Sequence, residues 1–429
     1  MSAARAAVIG GGLSGALQSI HLLREGAERV LLIERGRTPG RGVAYGTDRP
    51  EHLLNVPARR MSAFPDDPDH FVRWFEARCG GTAEDFAPRM LYGDYVVELL
   101  DQAGDRLEVV RGEAVAIDRG VVILGDGRAI EAESGVLALG NFAPATPSGV
   151  DPSALGDRWV ADPWSSELAV GLNAGDAVLL LGTGLTAVDA ALTLDSTGFS
   201  GRIVALSRRG LAPRAHAARE PADSPDQMLQ PKALALLRHI RRRSGEVGWR
   251  RAVHELRNVT QALWRSAGMA ERRRFLRHLR PWWDVHRHKI APAVAERIAA
   301  MEQSGRLSFV AGRMLSTAGD GTVRWRPRGG ESIETLNAAR IVNCTGPELH
   351  VARVGEPLLD SLLGAGSIRP DPCRLGIDVD GECRVLSAGG IASTSLYAIG
   401  PITRGAFWES IAVPDIRVQA AAVARRIAA

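Results

Sequence analysis

The chain has 429 residues, 45% of them apolar, and no glutamine, serine or proline tract, so it can bury a large core, and its length suggests two or three domains. No run of about 18 apolar residues reads as a membrane span. Four cysteines (Cys79, Cys344, Cys373, Cys383) without a Cys-x-x-Cys give neither a disulfide framework nor a zinc-ligand set, and the small formal charge of +4 rests on arginine, with lysine only at Lys232 and Lys289.

In chain order, the pattern predicts a strand over residues 6–9, a glycine turn, a helix to about Glu25, and a second strand over 30–33 that ends in Glu34. The first strand runs straight into the turn, which leaves no room for a cleavable secretory signal, so a cytoplasmic protein is expected. The turn reads Gly10-x-Gly12-x-x-Gly15. In such a turn the first glycine permits the tight bend, the second lets backbone approach a pyrophosphate, and the third lets helix and strand pack closely. Glu34 can accept hydrogen bonds from ribose hydroxyls. Ser14 and Arg35 stand beside these positions and complete the first candidate set. Residues 112–118, 120–124 and 135–140, with the hairpin signal Gly125-Asp126-Gly127, predict a small meander that returns to the parallel sheet.

A second unit repeats the design: a strand over 177–181, the turn Gly182-x-Gly184-x-x-Ala187 with Thr186 inside it, an apolar helix to about Leu194, and a strand over 202–206. Here the terminal acid is replaced by Ser207-Arg208-Arg209-Gly210. A carboxylate would repel a 2′-phosphate, whereas a hydroxyl and guanidinium groups can bond it, so NADPH is expected at this turn rather than NADH. Strands over 307–312, 321–325 and 340–346 echo the first meander. Both halves thus close on an apolar strand ending in glycine, at Gly140 and Gly346, where the chain crosses beside a bound nucleotide.

Between residues 214 and 305 the strand pattern gives way to helical sequence rich in arginine and tryptophan, with 15 arginines and lysines against four acids from 238 to 289. Three readings compete: a solvated helical face, a lid or substrate region that recognises an anionic group, and a nucleic-acid surface, which two redox-nucleotide sites make unnecessary. The densest cluster is Leu279-Arg280-Pro281-Trp282-Trp283-Asp284-Val285-His286-Arg287-His288-Lys289. His286 and His288, two apart, fall on different helix faces, which argues against a metal site. His286 is a candidate proton donor or acceptor and Arg287 a candidate carboxylate anchor. The alternative is a helix start packed by the tryptophans, with its histidines bonded locally.

The two fingerprints, with Gly42-Val43-Ala44-Tyr45-Gly46, His52-Leu53-Leu54-Asn55-Val56-Pro57 and the tail Ile399-Gly400-Pro401 to Trp408-Glu409, resemble the two-dinucleotide flavoproteins over nearly the whole chain. Within these the chain is similar to a bacterial FAD/NAD(P)-binding group, distantly similar to flavin-dependent N-hydroxylating and Baeyer–Villiger monooxygenases. The resemblance implies an α/β fold of two Rossmann-like three-layer domains: an FAD domain over 1–150 and 346–429, an NADPH domain over 151–345 inserted in it, and a helical insertion over 214–305. It implies that Gly10, Gly12, Gly15 and Glu34 hold the ADP half of FAD, that Asn55 and Met61 lie near the isoalloxazine, and that the tail over 397–413, with Gly400 and Trp408, returns to the flavin. Two departures stand out. Pro401 occupies the place of an aspartate that touches the ribityl chain in many relatives, leaving backbone groups as donors, and residues 159–164 replace the histidine-bearing fingerprint of several monooxygenase subfamilies.

A disulfide reductase needs a cysteine pair near the flavin, which is absent here. The expectation is therefore a monooxygenase: NADPH reduces FAD, O2 forms a C4a-hydroperoxide sheltered from water, and one oxygen passes to a small-molecule substrate, an amine or amino acid ahead of a sulfur compound. Asn55, His286 and Arg287 are the candidate catalytic residues, and no metal, nucleic acid or membrane is called for. The alternatives are an NADPH oxidase or reductase that passes electrons to O2, a quinone or a partner, and a non-catalytic FAD/NADPH-binding sensor.

Overall fold

Apolar strands that run directly into glycine turns nucleate two mainly parallel sheets. The computed structural model describes residues 4–36, 38–217 and 229–429. The first sheet has the spatial order Arg384–Leu386, Ala392–Ala398, Ala129–Leu137, Ala4–Ile9, Val30–Glu34 and Leu107–Arg111. Ile9 lies opposite both Ile33 and Leu137, so the three central strands end level beside Gly10. In open α/β sheets that level, at the carboxyl ends of the strands, is where nucleotides bind.

The strand expected over 135–140 starts earlier, at Ala129. Its first residues pair antiparallel with Val121–Leu124, and the rest run parallel to Ala4–Ile9. One strand thus serves both meander and parallel sheet, and its burial alternates at first and becomes continuous at Val136 and Leu137. After the second sheet is complete the chain returns, and Ala392–Ala398 pairs in parallel with Ala129–Leu137.

The second sheet is ordered Glu334–Asn337, Thr322–Pro327, Leu307–Thr317, Arg202–Ser207, Ala177–Leu181, Arg340–Asn343 and Trp159–Val160. Leu181 pairs with Leu206 and Asn343, which repeats the level ending at Gly182. The first fingerprint helix, Leu13–Arg24, is buried from Leu13 to Leu23. A helix buried all round needs cover on both sides; one side faces the sheet, and the other meets the last helix, Val413–Ala428.

Polar contacts of Arg89 and His52 bind the halves together. Arg89 forms an ion pair with Asp189 on the second fingerprint helix. His52 Nε2 donates to the Asp189 carbonyl (3.2 Å) and lies 3.0 Å from Thr193 Oγ1, while its Nδ1 accepts from Thr47 Oγ1 at 2.9 Å. Burial lowers the pKa of His52 and so favours the neutral ring. The stretch that begins at His52 therefore also works as a clamp between the two units.

The insertion forms helices Ala233–Val247, Trp249–Glu255, Thr260–Ser266, Met269–His278, Arg280–Arg287 and Pro292–Gln303; its residues 218–228 lie outside the described residues. It docks on the tail through Trp264 Nε1, which donates to the Gly405 carbonyl at 2.8 Å, and through an aromatic cluster of Trp264, Phe275, Trp283 and Trp408. Among the described residues no helix is long and apolar enough to cross a membrane.

Candidate functional site

At the first turn, Gly10 adopts φ +100°, and a Cβ there would lie 2.5 Å from the Ala138 carbonyl oxygen. A Cβ on Gly15 would lie 1.8 Å from the Gly10 carbonyl oxygen, so only glycine allows this helix to start so close to its strand. Gly12 caps the helix without a side-chain hydrogen bond. The first helical N–H groups are thereby left to an anion, as a pyrophosphate requires. Glu34 reaches across the turn and accepts the N–H groups of Gly11 and Gly36, one on each carboxylate oxygen. Each oxygen keeps a further lone pair for a ribose hydroxyl. These residues fit the ADP half of a dinucleotide.

The neighbouring candidates divide. Ser14 is buried beneath the returning tail, since a Cβ on Gly400 would meet its Oγ at 2.3 Å. Arg35 turns away to Glu356 (2.7 Å) and Glu113 (3.1 Å). Gly140 and Gly346 follow their strands with φ +69° and +85° in open space.

At the second turn, Gly182 has φ +133°, with the Cys344 carbonyl oxygen 2.1 Å from where a Cβ would sit. Gly184 again caps its helix without a side-chain bond; Thr186 is half-buried in the first helical turn, and Ala187 is buried against the strand. Thr183 Oγ1 donates to the Leu211 carbonyl at 2.7 Å, so across its 2.9 Å contact with Ser207 the donor is Ser207. Ser207 Oγ also accepts the Gly210 N–H at 3.0 Å. The hydroxyl expected to meet a 2′-phosphate instead shapes the Ser207–Gly210 turn, because its only proton is already committed. Arg208 is exposed and Arg209 half-buried, and neither forms an ion pair with the described residues.

Between the first unit and the insertion lies a cavity of about 530 Å³. One wall is the stretch Leu53, Val56, Pro57 and Arg60; the facing wall holds Arg257, His286, Arg287 and Lys289. His216 closes one end, its Nε2 donating to the Asn55 carbonyl at 2.9 Å. Two of the three candidate catalytic residues, His286 and Arg287, therefore line one cavity, beside the stretch that holds Asn55. The cluster starts the helix Arg280–Arg287, and His286 near its end is bonded locally, with Nδ1 2.7 Å from the Trp282 carbonyl and its ring edge-on to Trp249, centroids 4.8 Å apart. That bond takes a proton on Nδ1, so in the neutral ring Nε2 is the acceptor.

Three placements differ from expectation. Met61 is 2% exposed within the apolar core of the first unit. Trp408 is equally buried and packs on Trp264 (ring centroids 4.6 Å apart) with Arg404 over its face, so it anchors the insertion to the tail. The Gly400 N–H donates to Gln419 Oε1 at 2.8 Å and Pro401 has no N–H, so the backbone there is no free donor.

Sequence reasoning missed Arg60, Arg257 and Asp415 and gave no role to Glu409. Arg287 pairs with Glu409 at 2.7 Å, while Arg257 stands 3.9 Å from Asp415. Burial, with Arg287 and Arg60 nearby, pushes Arg257 down to about 10. No linear spacing links positions 60, 257, 287 and 409, so no motif could have signalled the group. All four cysteines are free, and burial raises the Cys344 thiol and pushes Cys383 up to about 12, far from a reactive thiolate.

A family model described as FAD-NAD(P)-binding matches residues 7–142. No curated protein matches the sequence. Among solved structures, the chain is similar to the reduced form of an ornithine hydroxylase from Pseudomonas aeruginosa, at 18% identity, TM-score 0.67 and 99% coverage of both chains. It is also similar to a Kutzneria sp. 744 ornithine N-hydroxylase with reduced FAD, NADP+ and L-ornithine, at 13% identity, TM-score 0.68 and 99% of both chains. A thioredoxin reductase from Lactococcus lactis follows at 15% identity and TM-score 0.56, covering 99% of this chain and 98% of that one. At such identities the likeness shows a shared fold alone, and chemistry must be argued from the site.

Proposed function

We propose that the protein is an NADPH-dependent flavin monooxygenase that oxygenates a small molecule, with an amine or amino acid ahead of a sulfur compound. Residues 1–150 and 346–429 form the FAD unit in this reading, and residues 151–345 the NADPH unit. The observation that carries it is the asymmetry of the two turns: one ends in a carboxylate with lone pairs to spare, the other in two arginines without ion pairs among the described residues. FAD, when bound, supplies hydride acceptance and oxygen activation. The chain's own part is to hold the two nucleotides, through Gly10–Gly15 with Glu34 and through Gly182–Ala187 with Arg208 and Arg209. The Arg89–Asp189 and His52 contacts fix the units relative to each other. His286 lines the cavity, and its Nε2 is the atom that would accept a proton from the substrate.

The fold relatives named as ornithine hydroxylases support oxygenation, and the buried, raised-pKa thiols speak against the dithiol exchange suggested by the name of the reductase relative. The test is a purified yellow protein mixed with NADPH under nitrogen and then with air. Rapid bleaching followed by product formation matched to NADPH consumption is expected with a true substrate. No bleaching would sink the enzyme reading in favour of a sensor, and stoichiometric peroxide with every compound tried would replace the monooxygenase by an oxidase.

A further inference from the structure

The cavity is charged unevenly. Among the described residues its lining carries Arg59, Arg60, Arg257, Arg287 and Lys289 against Glu84 and Asp85. Both acids belong to the rim and are engaged: Glu84 is held by Arg59, and Asp85 Oδ2 accepts the N–H and the hydroxyl of Thr82 at 2.8 Å each. Deeper in, Arg257 and Arg287 face the carboxylates of Asp415 and Glu409 with hydrogen bonds left unmade. Arg257 is 17% exposed with its closest carboxylate, Asp415, at 3.9 Å, beyond hydrogen-bond reach. Arg287 is 11% exposed; Glu409 takes its Nη2, and its buried Nε has no partner. Arg60 donates to His254 Nε2 at 3.3 Å. Like charges gathered at low exposure cost free energy that an incoming anion relieves. An alkylammonium, by contrast, would meet the like charges of Arg60, Arg257 and Arg287.

We infer that the cavity binds a small organic anion of net negative charge, its carboxylate or phosphate seated on Arg60, Arg257 and Arg287. This rests on the monooxygenase reading and narrows it: an acidic amino compound or a phosphorylated one is oxygenated, not a basic amino acid such as the L-ornithine of the Kutzneria structure. The arginines bind and orient the acidic group. The rest of the molecule extends along Leu53, Val56 and Pro57, the stretch that the resemblance sets beside the flavin.

The test uses the FAD-loaded protein with saturating NADP+, so that Arg208 and Arg209 are already occupied, and calorimetric titration at constant ionic strength. Malonate probes for a carboxylate site and inorganic phosphate for a phosphate site, while putrescine and L-ornithine are the cationic controls. At least one anion is expected to bind saturably and the cations not at all. Arg257→Gln and Arg287→Gln should each weaken the anion about ten- to a hundred-fold, the loss of one charge-assisted bond, and Arg257→Lys should recover most of the binding. Failure of both anions, binding of the cations instead, or anion binding unchanged in Arg287→Gln would overturn the inference; Arg287→Gln keeps the test valid if Arg257→Gln does not fold. Anaerobic reduction by NADPH is followed on the same samples. Reduction without anion binding defeats the charge assignment alone, and anion binding without reduction defeats the enzyme reading alone.

Discussion

Replacing Arg209 by alanine removes a half-buried guanidinium just past the strand Arg202–Ser207, where the proposed NADPH unit would meet the nucleotide's ribose. Because Ser207 is committed to Thr183 and Gly210, the affinity for a 2′-phosphate falls to Arg208 and Arg209. A charge-assisted bond from a partly buried arginine contributes about 1.5–3 kcal/mol, so Arg209→Ala should raise the NADPH concentration for half-maximal flavin reduction roughly 10- to 100-fold. Arg208 is exposed, and solvent screening limits it to about 1 kcal/mol, or about five-fold. Added salt should erode the Arg208 contribution first, since the screening length falls to about 3 Å near 1 M. NADH lacks the phosphate, and its value should not change. The assay is anaerobic stopped-flow reduction with both nucleotides over a concentration series. Equal losses for NADPH and NADH, or no loss for NADPH in the double variant, would refute the assignment.

Gly15→Ala would drive a methyl group to within 1.8 Å of the Gly10 carbonyl oxygen, so the variant should be isolated without flavin; a yellow protein with full flavin content would contradict the cradle. His286→Ala should slow product formation about a hundred-fold or more, the usual contribution of a positioned base. Reduction by NADPH should be spared, and unchanged product formation would return His286 to the packing role that its contacts with Trp282 and Trp249 allow. His21, 2% exposed, has its pKa lowered from 6.5 to about 4, mainly by burial. The unfolded chain takes up a proton below pH 6.5 that the native ring refuses, so this stability is complete above pH 6.5 and is lost as the pH falls towards 4, by about 3 kcal/mol in all. Urea unfolding of His21→Gln should be flatter over that window, and an unchanged slope would count against the cause.

The sequence alone determined the two dinucleotide units. The spacing of Gly10, Gly12 and Gly15, the strand endings at Glu34 and at Ser207-Arg208-Arg209, and the apolar strands between them are local patterns, set by backbone geometry within a few turns of chain. Most strands and both fingerprint helices followed, with boundaries shifted by a few residues, because a strand such as Ala129–Leu137 can serve two pairings that its own sequence does not separate. Only the tertiary structure decided what faces the chemistry. Trp408 and Met61 look like ligand contacts along the chain, yet they fill cores, because apolar burial depends on neighbours brought from elsewhere. Ser207 was spent on its own turn by Thr183, 24 residues away. The cavity joins residues 53–60 to 253–293, and its arginines acquire their shared electrostatics only when the insertion folds back over the first unit. Charge and burial are properties of that three-dimensional neighbourhood, and the linear order of Arg60, Arg257 and Arg287 carries no trace of it.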